Sequence, residues 1–107
     1  MRETNVEKRL RSRVCGLGGL APKWVSPGNN GVPDRILLFP GGRVIFCETK
    51  APGKKLEPLQ EYRKKQLESL GFTVWVADTP EAVDELIRKE EENAAAQIPG
   101  ARQATDR

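Results

Sequence analysis

Two short apolar runs on either side of a proline–glycine–glycine sequence constrain the fold more than any other feature. Residues Val32–Phe39 and Arg43–Lys50 have the length and composition of β-strands, and Pro40-Gly41-Gly42 supplies a turn between them. The pattern predicts an antiparallel β-hairpin. Because side chains alternate along a strand, we expect Glu48 and Lys50 on the same face of the sheet.

The register of this hairpin decides whether its acidic groups meet. With a three-residue loop centred on Gly41, Asp34 lies directly opposite Glu48, and their Cβ atoms are roughly 5 Å apart. With a two-residue Gly41-Gly42 turn, Asp34 lies opposite Thr49, and Glu48 points to the other face. The sequence leaves both registers open, and only the first brings two carboxylates together.

Two carboxylates held that closely repel each other unless positive charge lies between them. A hard divalent cation such as Mg²⁺ supplies that charge, and it can polarise a phosphodiester and acidify a bound water. Lys50, two residues after Glu48, is placed to hold that water or to stabilise charge on the phosphate. The ordinary alternative is an exposed Glu48–Lys50 ion pair and a turn-forming Asp34, since short motifs of this kind are common.

Composition narrows the chemistry further. The chain of 107 residues contains no histidine, which excludes histidine-based triads, HNH-type nucleases and the usual zinc sites. Its net charge of +3 is unevenly distributed, because residues 1–65 carry 14 Lys and Arg against 6 Asp and Glu. This distribution favours a basic surface for a polyanion, although charges on solvated helices also vary in this way.

The remaining elements surround the hairpin. Apolar periodicity predicts helices at residues 3–17 and 58–70 and a last helix that follows Thr79. Around the second helix, we expect four leucines to face inward: Leu56, Leu59, Leu67 and Leu70. Residues 23–25 and 72–77 are strand candidates. The predicted class is α/β. We expect one domain over residues 1–90 and a frayed or disordered tail over residues 91–107.

Several observations favour a cytoplasmic protein. No apolar run exceeds four residues, so the sequence predicts no membrane span. The first residues do not resemble a signal peptide. Cys15 and Cys47 both lie in apolar-patterned segments and are expected to be free and packed as small apolar side chains.

The segments 31–35 (GVPDR) and 44–51 (VIFCETKA), followed by Gln60, resemble the VRR-NUC domain of the PD-(D/E)XK nuclease superfamily. The resemblance covers residues 3–90. It implies a restriction-endonuclease-like PD-(D/E)XK core with the element order αβββαβ, a mixed sheet flanked by helices. It also implies a Mg²⁺- or Mn²⁺-dependent endonuclease that hydrolyses DNA. Stand-alone relatives of this size are similar to homodimeric enzymes that act on branched DNA such as Holliday junctions.

The same resemblance assigns roles to individual residues. Asp34, Glu48, the backbone carbonyl of Thr49 and Glu7 match metal ligands, whereas Lys50 and Gln60 match further catalytic positions. Thr4-x-x-Glu7 is also a helix capping box, so Glu7 is either a cap or a metal ligand. A helical glutamine such as Gln60 is ordinarily solvated.

Lysine and arginine residues near the predicted site are candidates for DNA contacts. Lys54 and Lys55, in a proline- and glycine-containing loop, are the strongest candidates, followed by Lys23 and Arg35. Two alternatives remain on the same fold: a DNA-binding module without catalytic activity, and a nuclease with nicking or restriction-like specificity.

Overall fold

The computed structural model describes the backbone of residues 3–105 and the side chains of residues 3–95. Three helices and three strands follow one another in the order α1 (Asn5–Gly16), β1 (Arg35–Phe39), β2 (Arg43–Thr49), α2 (Pro58–Ser69), β3 (Val74–Ala77) and α3 (Pro80–Thr105). In this described part of the chain, no helix is both long and apolar enough to cross a membrane. The predicted α/β class is confirmed.

The sheet is mixed, with the strand order β1-β2-β3. Strand β1 is antiparallel to β2 across the predicted hairpin, and β3 is parallel to β2 after the crossover through α2. Both α2 and α3 begin at a proline, as expected, and the hydroxyl of Thr79 accepts a hydrogen bond from Ala82 N at 3.0 Å.

The strand predicted at residues 23–25 is wrong as stated. The chain instead meets β1 through two isolated bridges, Leu20 with Leu38 and Lys23 with Arg35. Both bridges have the same register, and Pro22 between them has no N–H to donate to β1. The first of the three expected strands is therefore replaced by two isolated bridges to β1, with Pro22 between them.

One face of the sheet, which we call the core face, is covered by α1 and α3. Its apolar side chains are almost completely buried, with exposures of 0–2%: Leu37, Ile45, Cys47 and Ala77 of the sheet, Leu10 and Val14 of α1, and Val83, Leu86 and Ile87 of α3. Burial raises the pKa of the Cys47 thiol well above its usual range. Both cysteines are free, as predicted, but Cys15 is exposed rather than packed.

The opposite face, which we call the site face, carries Phe46 and Glu48 and is covered by α2. No residue of α2 is buried. Leu59 and Leu70 are 44% and 68% exposed, so the prediction that they face inward is wrong. The other two leucines predicted to face inward, Leu56 and Leu67, are half-buried.

Helix α3 extends past Glu91, where the core-forming pattern of the sequence ends, and its backbone is helical to Thr105. Side chains are described only to residue 95, and residues 106 and 107 lie outside the described part. The frayed tail and the domain boundary at residue 90 therefore stay predictions.

Candidate active site

The hairpin has the register that brings the two carboxylates together. Phe39 pairs with Arg43, and Arg35 pairs with Cys47, so the loop has three residues. The glycines of the loop have φ angles of 89° and 85°, which a side chain rarely permits. One step beyond the last pair, Asp34 lies opposite Glu48.

Asp34 ends the ladder between β1 and β2 and is held there by Thr49. In this register Pro33 lies opposite Thr49 and has no N–H to donate. The carboxylate of Asp34 bonds to Thr49 in place of a backbone group. Its Oδ1 accepts the Thr49 N–H at 2.8 Å, and its Oδ2 accepts the Thr49 hydroxyl at 2.6 Å. Both Asp34 oxygens are thus fixed, and each keeps a lone pair for a further partner.

Glu48 is a buried carboxylate with three polar neighbours. Its Oε1 accepts the backbone N–H of Asp34 at 3.1 Å, and its Oε2 accepts the Gln60 side-chain amide at 3.0 Å. Lys50 Nζ lies 3.7 Å from Oε2. Burial and the charge of Asp34 raise the pKa of Glu48 to about 7, although Lys50 opposes the shift. Burial is the larger cause, so Glu48 lies in a poorly hydrated position between an acidic and a basic group.

Gln60 links α2 to this carboxylate. Its amide nitrogen donates to Glu48, and its Oε1 accepts the backbone N–H of Glu57 at 2.8 Å. The second bond is part of the capping box at the N-terminus of α2. The two bonds fix the amide in one orientation. Gln60 is thus neither a solvated surface residue nor only a cap, and it connects the start of α2 to Glu48.

The loop that precedes Asp34 lies directly on α2. Gly31 has a φ of +88°, and a Cβ atom there would lie only 2.7 Å from Leu59 Cγ and 2.9 Å from the Leu59 carbonyl oxygen. Arg63 Nε donates to the Asn30 carbonyl at 2.9 Å. A glycine at position 31 allows the close approach that places Asp34 and Gln60 around Glu48.

Comparison with known proteins identifies the family. No family model matches the chain. The protein named "Putative nuclease p44" of Acyrthosiphon pisum secondary endosymbiont phage 1 is 48% identical over 79 residues, which are 74% of this chain and 85% of that protein. A solved structure described as a VRR_NUC domain superposes with a TM-score of 0.74 at 32% identity, covering 78% of this chain and 90% of its own. The chain belongs to the VRR-NUC family.

In this VRR-NUC nuclease domain, Thr4 caps the start of α1, since its hydroxyl accepts the Glu7 N–H at 3.1 Å. The Glu7 side chain accepts from the Thr4 hydroxyl at 3.3 Å and from Arg35 at 3.0 Å. Glu7, Thr49 and Lys50 all line a cavity of about 360 Å³ between the start of α1 and the end of β2. Among the side chains of residues 3–95, no three His, Cys, Asp or Glu converge closely enough to hold a metal by themselves.

Arg35 does not lie where DNA can reach it. It is 4% exposed, and its guanidinium donates to the Ala21 carbonyl at 2.7 Å and to Glu3 and Glu7 at 3.0 Å. The prediction that Arg35 contacts DNA is therefore wrong, since its guanidinium forms ion pairs with Glu3 and Glu7 inside the protein. The alternation of β1 could have indicated this, because Arg35 shares a face with buried Leu37.

The remaining predicted DNA contacts are accessible. Lys23, Lys54 and Lys55 are exposed, and Lys54 and Lys55 lie in the loop between β2 and α2. That loop is anchored at Gly53, whose N–H donates to Asp78 at 3.2 Å. The structure leaves their contact with DNA a prediction.

The donor set of this VRR-NUC site fits a hard divalent cation. Asp34 and Glu48 offer carboxylate oxygens from neighbouring strand ends, and such oxygens are the ligands that a hard divalent cation prefers. Burial, and after it the charge of Asp34, raises the pKa of Glu48. The Thr49 carbonyl belongs to the same strand end. Glu7 lines the neighbouring cavity together with Thr49 and Lys50, and its Oε1 accepts from Arg35.

Proposed function

We propose that this VRR-NUC protein is a Mg²⁺- or Mn²⁺-dependent endodeoxyribonuclease that hydrolyses phosphodiester bonds in branched DNA such as Holliday junctions. The cytoplasm of a bacterium, or of a bacterium infected by a phage, is the compartment that offers this substrate. The observation that carries the proposal is the meeting of Asp34 and Glu48 at adjacent strand ends, with Lys50 3.7 Å from Glu48.

The residues of the site have three proposed roles: metal binding, stabilisation of charge on the phosphate, and positioning of Glu48. Asp34 and Glu48, together with the Thr49 carbonyl and Glu7, would hold the cation. When bound, the cation supplies Lewis acidity for the phosphate and lowers the pKa of a water. Lys50 brings an amine that stabilises negative charge on the phosphate, and Gln60 keeps Glu48 in place through its amide.

The surface around the site supports a DNA substrate. The exposed Lys54 and Lys55 extend from the loop that follows Lys50, so a phosphate backbone entering the site meets positive charge. Residues 1–65 carry most of the basic groups, and all of the proposed catalytic residues lie among them. A four-way junction is roughly twofold symmetric, which matches an enzyme made of two identical chains.

A row of exposed apolar side chains supports the homodimer. Leu20, Leu38 and Val44 are in-register neighbours across the sheet and are 65%, 37% and 38% exposed. Phe72, which is 40% exposed, packs edge-on against Phe46 on the same face. We expect Val44→Glu to give a monomer in light scattering if this row is the interface, whereas Val25→Glu, at an 80% exposed position, leaves the dimer unchanged.

A nuclease assay on linear, nicked, flapped and four-way DNA in Mg²⁺ or Mn²⁺ tests the activity. Lys50→Ala should lose cleavage, whereas Lys89→Ala, which removes the same charge from an exposed position of α3, should retain it. Preference for four-way DNA supports the proposal. Equal cutting of linear duplex indicates the restriction-like alternative, and junction binding without turnover in either metal indicates the DNA-binding module.

A further inference from the structure

A small cavity of about 130 Å³ lies between α2 and the loop that leads to Asp34. Half-buried apolar side chains of Trp24, Val32 and Leu67 form part of its lining. The exposed amides of Asn29 and Gln66 form another part. Apolar walls with a few polar groups are the usual composition of a site for a small planar ligand.

The amides of the cavity have one hydrogen-bond acceptor and one donor that no other residue in the described part of the chain uses. Asn29 donates its amide N–H to Ser26 at 3.0 Å, and Gln66 accepts from Arg63 at 3.1 Å. Within residues 3–95, Asn29 Oδ1 has no hydrogen-bond donor, and the Gln66 side-chain nitrogen has no acceptor. One acceptor and one donor are the complement that the edge of a nucleobase offers.

The cavity lies close to the reacting site. Gln60, which touches Glu48, precedes Arg63 and Gln66 on α2 by three and six residues. The helical rise places these positions about 5 and 9 Å farther along the axis. Because successive nucleotides of one strand in a duplex rise about 3.4 Å each, this span corresponds to two or three nucleotides.

The size and chemistry of the cavity favour a base over the other parts of DNA. A volume of about 130 Å³ equals roughly four water molecules, which leaves room for one planar ring and little more. A phosphate would find only Arg63 there, and the Nε of that guanidinium already donates to the Asn30 carbonyl. A stacked, paired base cannot enter such a cavity, whereas an unpaired base can.

We propose that this cavity binds one unpaired nucleobase within a few nucleotides of the scissile phosphate. The proposal rests on the nuclease function above and refines it, because it makes an unpaired nucleotide the feature that the enzyme recognises in branched DNA. Trp24 and Leu67 contact the faces of the base, and Asn29 and Gln66 bond its edge.

Abasic substitution of the DNA, combined with removal of the two amides, tests this proposal. The substrate is the branched DNA that the wild-type protein cuts best in Mg²⁺, with an abasic site placed in turn at each nucleotide around the cut. The proteins are wild type, the double variant Asn29→Ala/Gln66→Ala, and Asn93→Ala as an uncharged control on α3. Circular dichroism verifies that the exposed substitutions leave the fold intact.

We expect one abasic position to lower kcat/KM about tenfold for wild type and for Asn93→Ala, the effect of losing one good base contact. The double variant should cut intact DNA more slowly than wild type and be less sensitive to that abasic position, since the abasic site removes the edge bonds together with the contacts to Trp24 and Leu67. Absence of any sensitive position, or equal sensitivity of the double variant, would overturn the proposal.

The same series separates this proposal from the proposed function. If no DNA is cut in Mg²⁺ or Mn²⁺, the nuclease function fails, and the base site is then judged by fluorescence anisotropy of DNA binding in EDTA. Non-additive losses of affinity between the abasic position and the double variant still support the base site. Additive losses overturn it.

Discussion

The two faces of the sheet differ in what holds them. On the core face, apolar side chains of three elements exclude water almost completely, and α1 and α3 pack directly on them. On the site face, α2 has no buried residue and is attached by polar contacts, Gln60 to Glu48 and Arg63 to Asn30. Apolar burial therefore dominates the core face, whereas the site face combines these hydrogen bonds with a smaller apolar cluster in which Phe46 packs against Trp24 and Phe72.

This difference separates stability from chemistry. Burial of Glu48 beside Asp34 costs free energy, since a carboxylate loses hydration and meets a like charge. The core face offsets that cost from the other side of the sheet. We therefore expect substitutions on the core face to change the free energy of unfolding, and substitutions at the site to change metal binding and cleavage.

Asp34→Asn should give the largest difference between the loss of cleavage activity and the loss of unfolding free energy. The amide retains an oxygen for the Thr49 N–H but loses the charge that binds a cation, so cleavage should fall about a thousandfold, or about 4 kcal/mol of transition-state stabilisation. Steady-state cleavage and urea unfolding on the same preparation measure both effects. A loss of activity matched by a loss of several kcal/mol in unfolding free energy would break the comparison.

Leu37→Ala should show the opposite pattern. Leu37 is fully buried on the core face, and its truncation should lower the free energy of unfolding by about 2–5 kcal/mol. Leu59→Ala on α2, at a position that is 44% exposed, is the matched control and should cost less than about 1 kcal/mol. Equal losses in the two variants would mean that α2 contributes as much to the core as α1 and α3.

The pH dependence of stability should distinguish Glu48 from the surface carboxylates. In metal-free protein the pKa of Glu48 is raised from 4.5 to about 7. Below pH 4.5 the carboxyl is protonated in the folded and the unfolded protein, so its full contribution to stability is present. As the pH rises through 7, the buried group becomes charged and this contribution is lost. From pH 5 to pH 8 the stability of Glu48→Gln relative to wild type should therefore increase, by up to about 3 kcal/mol.

Urea unfolding in EDTA at the two pH values measures that shift. Glu3, Asp84 and Glu85 have lowered pKa values caused by arginine partners, so they lose stability as the pH falls and act in the opposite direction. They are present in both proteins and cancel in the difference. A constant difference between pH 5 and pH 8 would mean that Glu48 titrates normally.

The smallest expected effect concerns how Asp34 is oriented. Thr49→Val keeps the volume and the backbone N–H but removes the hydroxyl that donates to Asp34 at 2.6 Å, and should weaken Mn²⁺ binding about tenfold. Thr49→Ser restores the hydroxyl and should bind Mn²⁺ nearly as well as wild type. Calorimetry of both variants provides the comparison, and equal affinities would show that the N–H alone orients Asp34.

Much of the site could be predicted from local sequence. Strand alternation brings Asp34 and Glu48 together if the loop has three residues, and the structure selects this register from the two that the sequence leaves open. The position of Lys50 follows in the same way. These features depend on neighbours along the chain or across one hairpin.

Other features depend on contacts between distant segments and could not be predicted. The burial of Arg35 requires the carboxylates of Glu7 in α1 and of Glu3 just before α1, which are 28 and 32 residues away in sequence. The exposure of Leu59 depends on how much of the sheet α2 covers, and helical periodicity reports only the apolar side of a helix. The interrupted edge at Pro22 shows that a strand-like composition does not guarantee a continuous ladder.

Calorimetric titration of Mn²⁺ into metal-free protein tests most directly whether Asp34 and Glu48 share one divalent cation. We expect a single site in wild type and in Glu61→Gln, which neutralises an exposed carboxylate of α2. We expect affinities at least about tenfold weaker in Asp34→Asn and Glu48→Gln. Wild-type affinity in either of these variants would mean that the two carboxylates do not share one cation.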